Sequence, residues 1–173
     1  MRLFHVSEES NIEIFNPRIP DREDMDKTVG LVWAIDEKRL PNFLTPRNCP
    51  RVTYHINSKT SIQDKERYFS DAYNYHVVII EEKWYEIMTS TVLYLYEFDT
   101  KEFELQDNVA GYYISKVLQR PIAKYRIEDL PKALYERNIE LRMVDNLWSI
   151  ADEIQQTTLN WSICRMRYAQ PRL

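Results

Sequence analysis

Glycine is nearly absent from this chain. Gly30 and Gly111 are the only two among 173 residues, against a usual share of about 7%. A loop that lets the backbone close on a phosphate needs several glycines, so P-loop and ordinary dinucleotide-binding folds are excluded. Cysteine is as sparse. Cys49 and Cys164 stand far apart with no CxxC spacing, which argues against a disulfide framework or a zinc site and predicts small buried hydrophobes. Only three histidines occur, His5, His55 and His76, and nothing in their spacing suggests a metal site. No apolar run approaches the roughly 18 residues of a membrane span. The opening MRLFH runs into acidic residues without the long apolar stretch of a signal peptide, so a cytoplasmic protein away from membranes is expected. A basic excess is missing too: 23 Lys and Arg face 27 Asp and Glu, a net charge of -4. That balance speaks against nucleic acid as a partner.

What is present is ordinary for one folded domain. Hydrophobic residues make up 44% and charged residues 29%, and twelve tyrosines contribute to an aromatic share of 13%. No repeat, low-complexity stretch or linker divides residues 1–173, so a single domain is expected. Strands are predicted at 2–6, 31–35, 52–56, 76–80, 92–98, 112–115, 122–127 and 139–144. The apolar strand 76–80 is expected at the centre of a sheet. Helices are predicted at 36–43 with Asp36 as cap, 61–69, 83–88, 128–137, and over much of 145–167. Residues 16–28, with two prolines and many charges, read as a surface loop or flap. Strands and helices mix without strict βαβ alternation. The fold class expected is α+β, with a mixed or antiparallel sheet, short helices and a C-terminal helical region.

Chemistry-bearing residues fall into four groups. His5 closes the first strand beside Ser7, where an imidazole can bond a ligand hydroxyl. Pro46 and Pro50 stiffen a loop carrying Arg47 and Arg51, whose guanidinium forks match phosphate or carboxylate. Arg18 adds a further candidate for phosphate. Tyr112 and Tyr113 follow Gly111 and point to opposite faces of a strand, so one can stack on a flat ring while the other packs in the core. In the tail, Trp161, Cys164 and Arg165 would share a helix face, with Trp161 in the core and Asn160, Arg165 and Arg167 either as polar lining or as an exposed basic end that suits the helix dipole. No nucleophile–base pair stands out.

Two resemblances follow from particular stretches. LFHVSEE, GLVWAIDEKRLPNFLTPRNCPRVTYH, LYLYEF, FELQDNVAGYY and TLNWSICRMR resemble, over nearly the full length, a family of short bacterial proteins of unknown function. The layout is also similar to the ADP-ribosyltransferase-like fold, which includes RNA 2'-phosphotransferases. The matching parts are a first strand ending in Phe4-His5, then VWAIDEKRLPNFL, then YYISKVLQRPI and AKYRIEDLPKAL. This second resemblance implies that His5 contacts the ribose of NAD and that a tyrosine stacks on the nicotinamide. It also implies a glutamate on the later strand to orient the ribose hydroxyl. That strand reads Gly111-Tyr112-Tyr113-Ile114-Ser115 and holds no glutamate. Three readings stay open: an NAD or nucleotide pocket, a non-catalytic module for a small anion, and a protein-interaction domain.

Overall fold

A computed structural model of the chain describes residues 1–21, 25–71 and 73–172. In chain order the strands are β1 (Leu3–Ser7), β2 (Val32–Asp36), β3 (Arg51–His55), β4 (His76–Glu81), β5 (Leu93–Phe98), β6 (Glu104–Asp107), β7 (Tyr112–Ser115), β8 (Ala123–Ile127), β9 (Glu140–Val144) and β10 (Asn160–Cys164). The helices are α1 (Ile62–Tyr68), α2 (Tyr85–Ser90), α3 (Leu130–Tyr135) and α4 (Trp148–Ile154), with short 3-10 turns at Leu40–Phe43, Glu82–Trp84 and Met166–Tyr168. The class is α+β, as the mixed pattern predicts. The chain divides into two compact units, Met1–Leu40 with Leu93–Ile127, and Pro41–Val92 with Glu128–Leu173.

Unit 1 is built on an antiparallel sheet in the order β6-β7-β2-β1-β5-β8. Alternation sends Leu3 and His5 of β1 to the same face as Tyr96 and Phe98 of β5 and Ala34 of β2. The segment after β1 returns across that face. Phe15 and Ile12 pack there with Leu3, Val32, Ala34, Tyr96 and Phe98. The Tyr96 hydroxyl ties the segment down, donating to the Glu9 carbonyl at 2.6 Å and accepting from the Ile12 amide at 3.1 Å. Phe15 and Arg18 make bridges to Gln119 and Leu31; within the loop expected at 16–28, residues 22–24 lie outside the described residues.

Gly111 closes a turn at φ +69°, where a Cβ would stand 2.6 Å from Arg39 Cγ. Glycine is required at that position by backbone and by space.

Unit 2 carries a mixed sheet in the order β10-β3-β4-β9, with β4 and β9 parallel. β4 is an inner strand, as its unbroken apolar run predicts. One face packs Val52, Tyr54, Val77 and Ile79 against Leu147, Ala151 and Ile154 of the α4 region and Tyr68 of α1. Ser61 caps α1 by accepting the Asp64 amide, and Asp129 caps α3 by accepting the Lys132 amide, each worth about 1 kcal/mol.

Two predicted elements need correction, and one strand has no predicted counterpart. The helix expected at 36–43 is a turn, in which Asp36 accepts the Arg39 amide at 2.8 Å, followed by a 3-10 turn; Pro41 lacks the amide an α-helix would need. The C-terminal helical region is only α4. Residues 160–164 form β10, because Asn-Trp-Ser-Ile-Cys alternates with period two, and Thr157 and Thr158 before it are β-branched. Trp161 is accordingly not core but 38% exposed on the strand. Strand β6 was not predicted. It is an edge strand with three of its four residues exposed, so no buried face marks it in the sequence. No helix among the described residues is long and apolar enough to cross a membrane.

Candidate functional site

In unit 1 the site is built around His5. β1 registers with β2 at Leu3↔Asp36 and Phe4↔Ile35, and with β5 along all five of its residues. At the next position the His5 side chain takes over from the ladder. Its Nδ1 lies 3.1 Å from the Trp33 carbonyl oxygen. A carbonyl only accepts, so Nδ1 carries the proton and Nε2 of the neutral ring is an acceptor. Burial pushes the imidazole pKa below its ordinary value, and the nearby Arg18 cation adds to that, against the Trp33 carbonyl, which favours the charged ring. The ring is braced by Phe15, with centroids 4.8 Å apart.

Ser7 lies on the same face of β1 as His5, and its hydroxyl accepts the Glu9 amide at 3.1 Å. Arg18 is held through its backbone to Leu31 in both directions. Its side chain is exposed and meets no carboxylate among the described residues. The two tyrosines part as alternation demands. Tyr113 packs with the aromatic cluster beneath His5. Tyr112 sits on the other face, edge-on to Trp33 at 5.6 Å.

In unit 2 the face of the sheet opposite the core of Val52, Tyr54, Val77 and Ile79 is mixed: β4 places the buried Val78 and Ile80 there, and polar groups gather beside them. β3 contributes Arg51, Thr53 and His55, and β4 contributes His76 opposite His55. β10 contributes Asn160 opposite His55, Ser162 opposite Thr53 and Cys164 opposite Arg51. The side chains form two hydrogen-bonded groups that meet at the two histidine rings. Asn42 Oδ1 lies 2.7 Å from His76 Nε2, and the His76 and His55 rings are 5.4 Å apart. Asn160 Nδ2 lies 3.2 Å from His55 Nε2, and Asn160 Oδ1 accepts from Asn57 Nδ2 at 3.1 Å. Asn42, Arg51, Thr53, His55 and His76 are all buried. Cys49 is buried beside them, and loss of solvent pushes its thiol pKa up to about 12, which makes it an inert thiol.

The residues singled out in the sequence thus fall into two sets. His5, Ser7, Arg18, Tyr112 and Tyr113 belong to unit 1, and Arg47, Arg51, Asn160 and Arg165 to unit 2. The loop that carries Arg47 and Arg51 treats them differently, leaving Arg47 exposed and Arg51 buried. Arg165 is exposed in a left-handed conformation, φ 60°, after β10; it is not on a helix face with Trp161. The sequence places His55 on a strand beside Tyr54, His76 in a structural role and Asn42 as an amide near the loop of Arg47 and Arg51, but not these three side by side. The signal was there in β3, where polar Arg51, Thr53 and His55 alternate with apolar Val52 and Tyr54. A groove of about 510 Å³ elsewhere on unit 2, lined by Tyr85, Lys132 and Tyr135 among others, contains none of these residues.

The geometry defines an α+β protein with one histidine oriented by the backbone in unit 1 and a buried polar cluster in unit 2. The chain belongs to the family of unknown function DUF6886, which matches residues 4–169. No curated protein and no solved structure matches it.

Proposed function

We propose that the protein binds a small phosphorylated ligand of nucleotide type, NAD among the candidates, at His5 in unit 1. The observation that carries this reading is the His5 ring, held neutral by burial and turned by the Trp33 carbonyl so that Nε2 is left as an acceptor. A neutral imidazole accepts from a sugar hydroxyl. Arg18, close enough to depress the pKa of that ring, supplies a cation for a phosphate. The sequence resemblance of β1 and the stretches after it to the ADP-ribosyltransferase-like fold would put a ribose at His5. β7 offers no glutamate to assist transfer, which favours binding without catalysis.

A thermal-shift series with NAD, ADP-ribose, AMP and inorganic phosphate tests this. A ligand at about 100 times its Kd stabilises by roughly 2.7 kcal/mol, and each kcal/mol raises Tm by about 2–4 °C at this size. The expected result is a rise with at least one nucleotide that is reduced in His5→Ala and in Arg18→Ala. Arg18 is exposed, so its variant is expected to fold in any case. A flat response to every nucleotide, or a rise unchanged in both variants, removes the reading.

A further inference from the structure

Arg51 is 6% exposed and has no carboxylate partner among the described residues. Its Nε donates to the Asn42 carbonyl and its Nη1 to the Cys49 carbonyl at 3.1 Å. The guanidinium carbon lies 5.0 Å from the Phe43 ring centroid. Removing a cation from water is costly unless an anion compensates it. Arg142, in the same unit, shows the usual solution: it is paired with Glu140 and donates also to the Tyr54 hydroxyl and the Tyr68 carbonyl.

On the face that Arg51 shares, β4 sets the buried Ile80 opposite Arg51 and Val78 opposite Thr53, and the polar neighbours are Thr53, His55, His76, Asn160 and Ser162, none of them acidic. A guanidinium has five N–H donors and two are engaged on carbonyls, so three remain. The Asn42 carbonyl belongs to the 3-10 turn Leu40–Phe43 and the Cys49 carbonyl to the loop stiffened by Pro46 and Pro50, and together they set the guanidinium in place before any ligand arrives.

We infer that unit 2 holds a binding site for the oxyanion group, phosphate or carboxylate, of a small molecule, with Arg51 as its principal contact. The anion completes the charge balance that the protein leaves open on this face. The inference uses unit 2 residues alone and does not rest on the His5 reading.

The test is a titration of the full chain with inorganic phosphate and, separately, with acetate, at constant ionic strength. Two signals are followed: Tm, and the NMR cross-peak of the Arg51 Nε–H group, which reports on this site alone. One of the two anions is expected to shift the cross-peak saturably and to raise Tm by roughly 5–10 °C at a hundredfold excess over its Kd. Arg51→Lys keeps the charge but loses the fork, and should weaken that anion by about tenfold or more. A response to phosphate alone assigns a phosphorylated ligand, and a response to acetate alone a carboxylate. A cross-peak that stays still through both titrations overturns the inference, as does a Tm rise equally large in Arg51→Lys. Should Arg51→Lys not fold, the cross-peak of the unaltered protein decides.

Discussion

The two sheets handle buried polar groups in different ways. In unit 1 the face bearing His5 is lined with aromatics, and its histidine and tyrosine settle their bonds on backbone, His5 on the Trp33 carbonyl and Tyr96 on the Glu9 carbonyl and the Ile12 amide, with one side-chain pair, Gln119 to Ser115, at its margin. In unit 2 polar side chains bond one another, Asn42 to His76 of β4 and Asn160 of β10 to His55 of β3, and the two groups meet where the histidine rings touch. A bond to backbone needs only one neighbouring segment in place. Bonds between side chains need several strands in register together, and a break leaves buried groups unpaired at about 1–3 kcal/mol each. Unit 2 therefore depends on its apolar face to hold that register.

The largest effect should come from testing this dependence. Ile79 is 2% exposed in the apolar face of unit 2, and Ile79→Ala is expected to cost about 2–5 kcal/mol. Urea unfolding measures it. A cost below about 1 kcal/mol would mean that the polar groups, not the apolar face, hold the unit.

A smaller effect should separate the histidine of unit 1. Its folded-state pKa is lowered by burial, so the unfolded chain takes up the proton first. The stability His5 contributes is then complete above its unfolded pKa, about 6.5, and is lost as pH falls through the folded value. Stability measured between pH 8 and pH 5 should fall less steeply in His5→Asn than in the parent. Parallel profiles would show that His5 is not held neutral.

The smallest effect is expected at the surface of unit 1. Arg2 grips Glu97 through Nε and Nη2 at 2.8 and 2.9 Å, and Tyr125 donates to the same carboxylate. The Arg2 bonds hold the Glu97 pKa below the usual carboxylate range. That contribution is present above about pH 4.3, the unfolded value, and is lost as pH falls through the lower folded one. Because Arg2 is 41% exposed, Glu97→Gln should cost under about 1 kcal/mol at pH 7. The difference from the parent should vanish in acid. A loss that persists at pH 2–3 would point to packing instead of charge.

Much of this architecture can be read along the chain. Ser61 three residues before Asp64 marks the start of α1, and the run from His76 to Ile80 marks an inner strand. Tyr112 and Tyr113 divide between faces because successive residues of a strand must. Other features escaped. β6 has no buried side to reveal it, and β10 follows a helix closely enough that its period-two pattern was absorbed into a helical reading. With β10 goes Asn160, whose partner His55 is 105 positions away.

Composition and local pattern alone determined the α+β class, the absence of a glycine-rich phosphate loop and most strand positions, because these depend on side-chain period, propensity and backbone freedom within a few residues. Only the tertiary structure decided that Arg51 is buried while Arg47 is exposed, and that His5 is neutral and turned by Trp33. It alone set His55, His76, Asn42 and Asn160 side by side. Burial, tautomer and bonding partner are properties of segments far apart in sequence, and they exist only once the strands have paired.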